Sequence, residues 1–284
     1  MIAPSPAVLR AALEAARRIG GAAPGDEDEW GFDPTFVDAV DPLLAFLYDR
    51  WWRVQATGVE HVPAEGPVLL VANHAGVLPW DAAMMATAMR RAAAPGQERH
   101  PRFLVLNWAF ELPWVSTAIR RFGGVPASPY NALGLLRQGR PVIVFPEGAK
   151  GTGKPYGRRY RLERFGRGGF VEVALRARAP IVPCAVVGSE EIYPKLGELP
   201  GAARLFGAPY VPVTPTFPLL GPLGAIPLPS RWRIAFGAPI DLSMEAGEAD
   251  VIEDRALVLE LAEEVRERIQ QMVYDELVRR GGAF

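Results

Sequence analysis

The sequence predicts an α/β fold, a mainly parallel mixed sheet flanked by helices, with amphipathic helices at the N-terminal end. Two observations predict it. Short, wholly apolar runs recur at Val68–Ala72, Val142–Phe145 and Ile181–Val187, as expected of strands covered on both faces. Between them lie segments whose apolar residues repeat at helical spacing, and this alternation is the mark of strand–helix–strand units. A chain of 284 residues, 49% hydrophobic and 22% charged, can bury one large core of this kind.

Each element has a local reason. Ala7 to Ile19 carries Arg10, Glu14, Arg17 and Arg18 at helical spacing and stops at Gly20-Gly21. Asp33-Pro34 opens a second helix expected to run to about Arg53, with Phe36, Val40, Leu43, Leu44, Leu47, Trp51 and Trp52 mostly on one face. Helices are expected at Asp81–Arg91, Pro113–Phe122, Asn131–Gln138, Gly168–Arg178 and Ile252–Arg279. Phe103–Leu106 and Trp232–Phe236 complete the strands, and Gly123-Gly124-Val125-Pro126 reads as a turn. From Ala208 to Ser230 there is no charge and proline recurs seven times, which excludes an α-helix and leaves a loop packed on protein or resting against lipid. Residues 1–57 form a helical segment suited to a membrane surface, and 58–284 form the α/β domain with its C-terminal helix.

The net charge of −1 gives no reason to expect nucleic acid as a partner. Asp26, Glu27, Asp28, Glu29, Asp33, Asp38 and Asp41 read as a solvated acidic face. Lys150, Lys154, Arg158, Arg159, Arg161, Arg164 and Arg167 form a basic block. The single cysteine, Cys184, fits a reducing compartment and, inside a strand, reads as a small buried hydrophobe. No apolar run is long enough to span a bilayer. A cytoplasmic protein, peripheral on the inner face of the membrane, is expected.

Three histidines are available to do chemistry, and His61 and His100 read as surface residues in turn and loop contexts. His74 stands just past the apolar run Val68–Ala72, at the strand end where α/β sheets place ligand crevices. Asp81 lies seven residues on, where a carboxylate can cap the next helix or hydrogen-bond His74 Nδ1 and leave Nε2 free to take a proton. A second signal, Val142 to Lys150, runs a strand directly into Pro146-Glu147-Gly148. In a parallel sheet both turns share one edge. A base, a carboxylate, backbone amides and a lysine there suit acyl transfer.

These residues resemble the glycerolipid acyltransferases typified by 1-acylglycerol-3-phosphate acyltransferase. Asn73-His74 followed by Asp81 is similar to the family's first block, Phe145-Pro146-Glu147-Gly148 to its third, and Ile181-Val182-Pro183-Cys184 to its fourth. The resemblance implies an O-acyltransferase in which His74 deprotonates an acceptor hydroxyl and Asp81 steadies the imidazolium. Acyl-CoA or acyl carrier protein would be the cosubstrate, without cofactor or metal, and a lysophospholipid or related glycerolipid the acceptor. Asn73, Glu147, Gly148, Lys150, Lys154, Arg158 and Arg159 are the substrate-binding candidates.

Two departures stand out. Six residues rather than four separate His74 from Asp81, as in the branch related to diacylglycerol acyltransferases, so that either Asp81 reaches the ring or Asn73 or a backbone carbonyl orients it. No arginine follows Gly123-Gly124, and Lys150 replaces the arginine after Phe-Pro-Glu-Gly. Rival readings are a non-catalytic lipid-binding protein of the same fold and a nucleotide-binding enzyme. The latter rests on Gly148 to Lys154, which spells most of a P-loop but is followed by Pro155 where a hydroxyl must hold magnesium. Membrane contact is expected from Trp51-Trp52, from the loop with Trp108, Phe110, Leu112 and Trp114, or from the proline-rich segment.

Overall fold

The computed structural model describes residues 4–20, 26–75, 78–94, 96–112, 114–199, 201, 203, 210–242 and 254–283. The expected helix start at Ile252 lies outside them. Strands are β1 (Gln55–Thr57), β2 (Val68–Ala72), β3 (Arg102–Val105), β4 (Gly124–Pro126), β5 (Pro141–Val144), β6 (Ile181–Val187), β7 (Gly197–Glu198), β8 (Pro212–Val213) and β9 (Arg233–Phe236). Helices are α1 (Pro6–Gly20), α2 (Pro34–Phe46), α3 (Trp80–Ala92), α4 (Val115–Arg121), α5 (Pro129–Arg137), α6 (Gly148–Thr152), α7 (Gly169–Ala177) and α8 (Arg255–Arg280).

Seven strands form one sheet in the order β1-β9-β6-β2-β5-β3-β4, and β7 and β8 pair separately. From β6 to β4 all neighbours are parallel, whereas β9 runs antiparallel to β6 and carries β1 parallel to itself. The alternation of side chains along β2 explains its all-apolar sequence. Val68, Leu70 and Ala72 enter one core with Phe36 and Val40 of α2 and Met84 and Met85 of α3. Leu69 and Val71 enter the other, with Leu135 and Leu136 of α5, Val173 of α7 and Val265 and Ile269 of α8. Register sets Val71 beside Val144 and Ala72 beside Cys184, so the chain leaves β2, β5 and β6 at the same edge.

Several expectations need correction. Gly124–Pro126 is an edge strand rather than a turn, because Gly124 lacks a Cβ that would lie 2.3 Å from Ile119 Cγ2 and so lets β4 approach α4. The second helix begins as expected, Asp33 accepting the Phe36 N–H at 3.0 Å. It does not continue regularly to Arg53, however, but ends at Phe46 and passes into a π-turn at Leu47–Trp51, one turn after the internal Pro42. The acidic segment is solvated in part, with Asp26, Glu27, Glu29 and Asp38 exposed and Asp33 buried, and several of its carboxylates also make ion pairs. Asp28 pairs with the fully buried Arg102, Glu27 with Arg121 at 3.1 Å, and Asp38 and Asp41 both meet Arg90. The Arg102 guanidinium also lies 4.0 Å over the Phe32 ring, and burial pushes its pKa down to about 10. His100 is half-buried against Phe32, with ring centroids 5.0 Å apart, and burial lowers its pKa; His61 is exposed, its Nδ1 2.8 Å from Phe236 O.

Of the two tryptophans expected at the membrane, Trp51 is half-buried and Trp52 is sealed inside the fold. Trp52 is fully buried, stacked on Trp232 at 4.6 Å and edge-on to Trp80 at 5.5 Å. The two indole N–H groups donate to Pro227 O (3.0 Å) and Leu228 O (3.1 Å), which fastens the proline-rich segment to the body of the fold. That segment contains β8 and a 3-10 turn at Gly221–Ala225, and on its outer side Leu219, Leu220, Leu223 and Ile226 are between 50% and 84% exposed. Among the described residues no helix is long and apolar enough to cross a membrane. Trp52→Ala should cost about 3–5 kcal/mol of stability in urea unfolding, and a loss below about 1 kcal/mol would contradict this account of the indole cluster.

Candidate active site

The site grows from the shared strand edge. After β2 the chain turns at Asn73-His74-Ala75, and after β5 at Phe145-Pro146-Glu147-Gly148. The Phe145 ring stacks on the His74 imidazole at 4.3 Å and 22°. His74 Nδ1 lies 2.8 Å from Asp81 Oδ2, so Asp81 does span the longer loop. It can do so because Trp80 and Asp81 open α3, whose first turn aims the carboxylate back at the turn. Asp81 does not cap the helix: Pro79 holds that position, and Asp81 Oδ2 instead accepts the Ala75 N–H at 2.9 Å. Asp81 is fully buried, and the His74 side chain is 16% exposed. With Nδ1 donating to the carboxylate, Nε2 is left as the acceptor.

Glu147 holds the turn from the other side. Its Oε1 accepts the His74 N–H at 3.1 Å, and its Oε2 accepts the Glu163 N–H at 2.7 Å and lies 3.1 Å from Lys154 Nζ. Lys154 in turn reaches Glu190 Oε1 at 2.9 Å and Arg161 O at 3.1 Å, while Glu190 Oε2 accepts the Tyr160 N–H at 2.7 Å. All three charged side chains are at least nine-tenths buried. The two carboxylates hold the Lys154 pKa above its ordinary value against its burial. Gly151 makes room for this arrangement, since a Cβ there would lie 2.6 Å from Glu147 Cβ.

The other sequence candidates fall in different places. Asn73 is fully buried and clips β2 to β6, donating to Val186 O and accepting the Val186 N–H, both at 2.8 Å. Gly148, at φ +54°, turns its N–H onto Phe145 O at 3.0 Å rather than leaving it free for an oxyanion. Lys150 is exposed on α6. Arg158 is exposed and pairs with Glu163 at 2.7 Å. Arg159 lies 4.3 Å over the Tyr156 ring. Of the stretch that spells a P-loop, Gly148–Thr152 form α6, and Lys154 beyond its end is fixed between Glu147 and Glu190. Cys184 is fully buried, and burial pushes its thiol well up. Among the described residues no group of His, Cys, Asp or Glu could hold a metal.

Two adjoining cavities lie here. His74 lines one of about 160 Å³, walled by Phe103, Val105, Trp108, Leu112, Ile119, Val144 and Phe145. Leu78, Trp108, Leu112, Thr152 and Tyr210 are shared with a second of about 460 Å³, which extends to Tyr193, Phe217, Gly221 and Ala225 beneath the exposed leucines. Lys154, Arg159, Glu190 and Lys195 border only this second cavity. Tyr210 and Glu190 carry no motif and escape sequence reasoning. Tyr210 has its hydroxyl buried beside the Thr152 side chain, and burial pushes its pKa up to about 12, against the Thr152 hydrogen bond that lowers it. The signal available for it is a tyrosine beside proline in an uncharged stretch.

Burial, opposed by Lys154, pushes Glu190 from 4.5 up to about 7. Through that window the folded protein keeps a proton that the unfolded chain has released, so this group makes stability fall as pH rises. Glu190→Gln should therefore flatten the stability profile between about pH 5 and 7 in urea unfolding, and an unchanged slope would contradict the assignment.

Residues 53–187 match the family model described as Acyltransferase. An uncharacterized protein of Mycobacterium tuberculosis is 50% identical over 90% of this chain and 71% of its own length. Phytyl ester synthase 2, chloroplastic, of Arabidopsis thaliana is 30% identical over 55% of this chain and 22% of its own. The crystal structure of the 1-acyl-sn-glycerophosphate (LPA) acyltransferase PlsC from Thermotoga maritima shares the fold, with a TM-score of 0.52, 19% identity and 95% of each chain covered. With His74, Asp81 and the Phe-Pro-Glu-Gly turn assembled at one strand edge, the chain belongs to the acyltransferase family.

Proposed function

We propose that the protein transfers a fatty acyl group from a thioester carrier, acyl-CoA or acyl carrier protein, to a hydroxyl of a lipid acceptor, with His74 as general base. The observation that carries this reading is the buried Asp81 holding His74 Nδ1 at 2.8 Å while the ring borders an apolar cavity. His74 Nε2 takes the proton from the acceptor hydroxyl as its oxygen attacks the thioester carbonyl. Asp81 stabilises the imidazolium that forms. The tetrahedral intermediate collapses, the carbon–sulfur bond breaks, and the proton passes from His74 to the leaving thiolate.

No acyl-enzyme is required. The sealed Cys184 fits direct transfer, and the name of one relative, a phytyl ester synthase, describes ester formation. Glu147 and Asn73 act in this reading by fixing the turn that carries the base, not by touching substrate. The exposed Lys150, Arg158, Arg161, Arg164 and Arg167 offer positive charge to an anionic carrier or to anionic headgroups. Leu219, Leu220, Leu223 and Ile226 offer an apolar foot by which the protein rests on a cytoplasmic membrane face, above the cavity that the same segment helps to line.

His74→Ala should lower acceptor-dependent release of CoA from palmitoyl-CoA by at least about 10²-fold while the protein keeps its circular dichroism spectrum, and near-wild-type turnover would contradict general-base catalysis. Flotation with anionic liposomes should weaken on adding salt and further in the Leu219→Asp/Leu223→Asp variant. Wild-type protein that floats under no condition would contradict membrane docking.

A further inference from the structure

We infer that the acceptor is an uncharged lipid alcohol, its reacting hydroxyl without a phosphate on the neighbouring carbon, because among the described residues the His74 cavity offers no cation and Lys154 is already held by two carboxylates. This rests on the reading of His74 as the base that meets the acceptor hydroxyl. In a 1-acylglycerol 3-phosphate the hydroxyl and the phosphate ester sit on adjacent carbons. A hydroxyl placed at His74 Nε2 therefore brings the phosphate within a few ångströms of the base, to the wall of the same cavity. A phosphate buried there needs paired cations or several free donors, because taking its charge out of water is otherwise too costly.

Among the described residues, the side chains that border the His74 cavity include no lysine, arginine, aspartate or glutamate. Lys154 is linked to the His74 backbone through Glu147, but its ammonium is held at 3.1 Å by Glu147, at 2.9 Å by Glu190 and at 3.1 Å by Arg161 O. All three of its donors are engaged. With Glu190 ionised the cluster carries one excess negative charge, which repels a phosphate rather than receiving it. Lys195 donates to Gly153 O and pairs with Glu198. Arg159 borders the second cavity alone and lies against Tyr156, and Lys150 borders neither. A neutral alcohol avoids the conflict: its chain meets apolar walls and its hydroxyl meets His74. The buried Glu147–Lys154–Glu190 cluster thus discriminates by repulsion as well as by fit.

The test compares 1-palmitoylglycerol with 1-palmitoylglycerol 3-phosphate, which differ only in the phosphate. Both are presented in the same mixed micelles to the full-length protein with palmitoyl-CoA at pH 8, above the range where Glu190 takes up a proton. The uncharged acceptor should show at least about tenfold higher kcat/KM, equivalent to about 1.4 kcal/mol. In Glu190→Gln, which keeps the side-chain size, removes one negative charge and gives up one of the two accepted bonds, that ratio should fall by roughly threefold or more, whatever the absolute rate of the variant. Equal or better use of the phosphorylated acceptor by the wild type would overturn the inference and leave His74 chemistry standing. A preference for the neutral acceptor that does not change in Glu190→Gln would overturn the charge-based cause. Folded wild-type protein that acylates neither compound would contradict the acyltransferase reading itself.

Discussion

Two consecutive backbone N–H groups, those of His74 and Ala75, are each taken by a buried carboxylate that arrives from a different direction. Glu147 comes from the turn after β5 and Asp81 from the first turn of α3. Because Asp81 Oδ2 also holds the ring at Nδ1, one carboxylate fixes both the backbone turn and the orientation of the imidazole. Phe145 closes the remaining face by stacking. The imidazole therefore has little freedom to rotate, and its Nε2 is committed to the one direction left open. Orientation of this kind is what converts a histidine near a cavity into a general base, since proton transfer depends on geometry before it depends on pKa.

The rest of the molecule serves that placement. The parallel register of β2 between β5 and β6 brings three strand ends to one edge, and Asn73 locks β2 to β6 through both ends of its amide. Behind Glu147, the chain Lys154–Glu190–Tyr160 ties the basic loop to the turn after β6. A second buried set extends this order to the C-terminus, with Tyr160 donating to Glu191 Oε1 at 2.7 Å and Arg280 bonding the same glutamate and Ser230. The indoles of Trp51 and Trp52 anchor the inner side of the proline-rich segment, which leaves its outer side free to present leucines. A segment that reads as a loop on protein or a loop on lipid is thus packed on protein along its inner side and exposes apolar side chains along its outer side.

Local sequence revealed those features that have local causes. Val68–Ala72 and Ile181–Val187 were legible to the residue because strands covered on both faces must be apolar throughout. His74 and the Phe-Pro-Glu-Gly turn were legible because a strand end followed by such residues marks a crevice. The edge strand at Gly124–Pro126 was not, because its reason is the proximity of Ile119 in a neighbouring helix, which no pattern within Gly-Gly-Val-Pro discloses. The ion pairs of the acidic segment were hidden for the same reason: the arginines that bind Glu27 and Asp28 lie 94 and 74 residues away. Lys154 offered itself as a phosphate ligand in the sequence, and only the long-range arrival of Glu190 reveals that its charge is already matched. Whether Asp81 reached His74 across six residues was likewise a question of where α3 begins, and it begins one residue earlier, at Trp80.

The tautomer of His74 tests the central claim most directly. In ¹⁵N-labelled protein, the His74 ring signals, assigned by their loss in His74→Ala, should report a protonated Nδ1 and a bare Nε2 when the imidazole is neutral. A proton on Nε2, with Nδ1 unprotonated beside Asp81, would contradict the account, because the atom required to accept the acceptor's proton would already carry one.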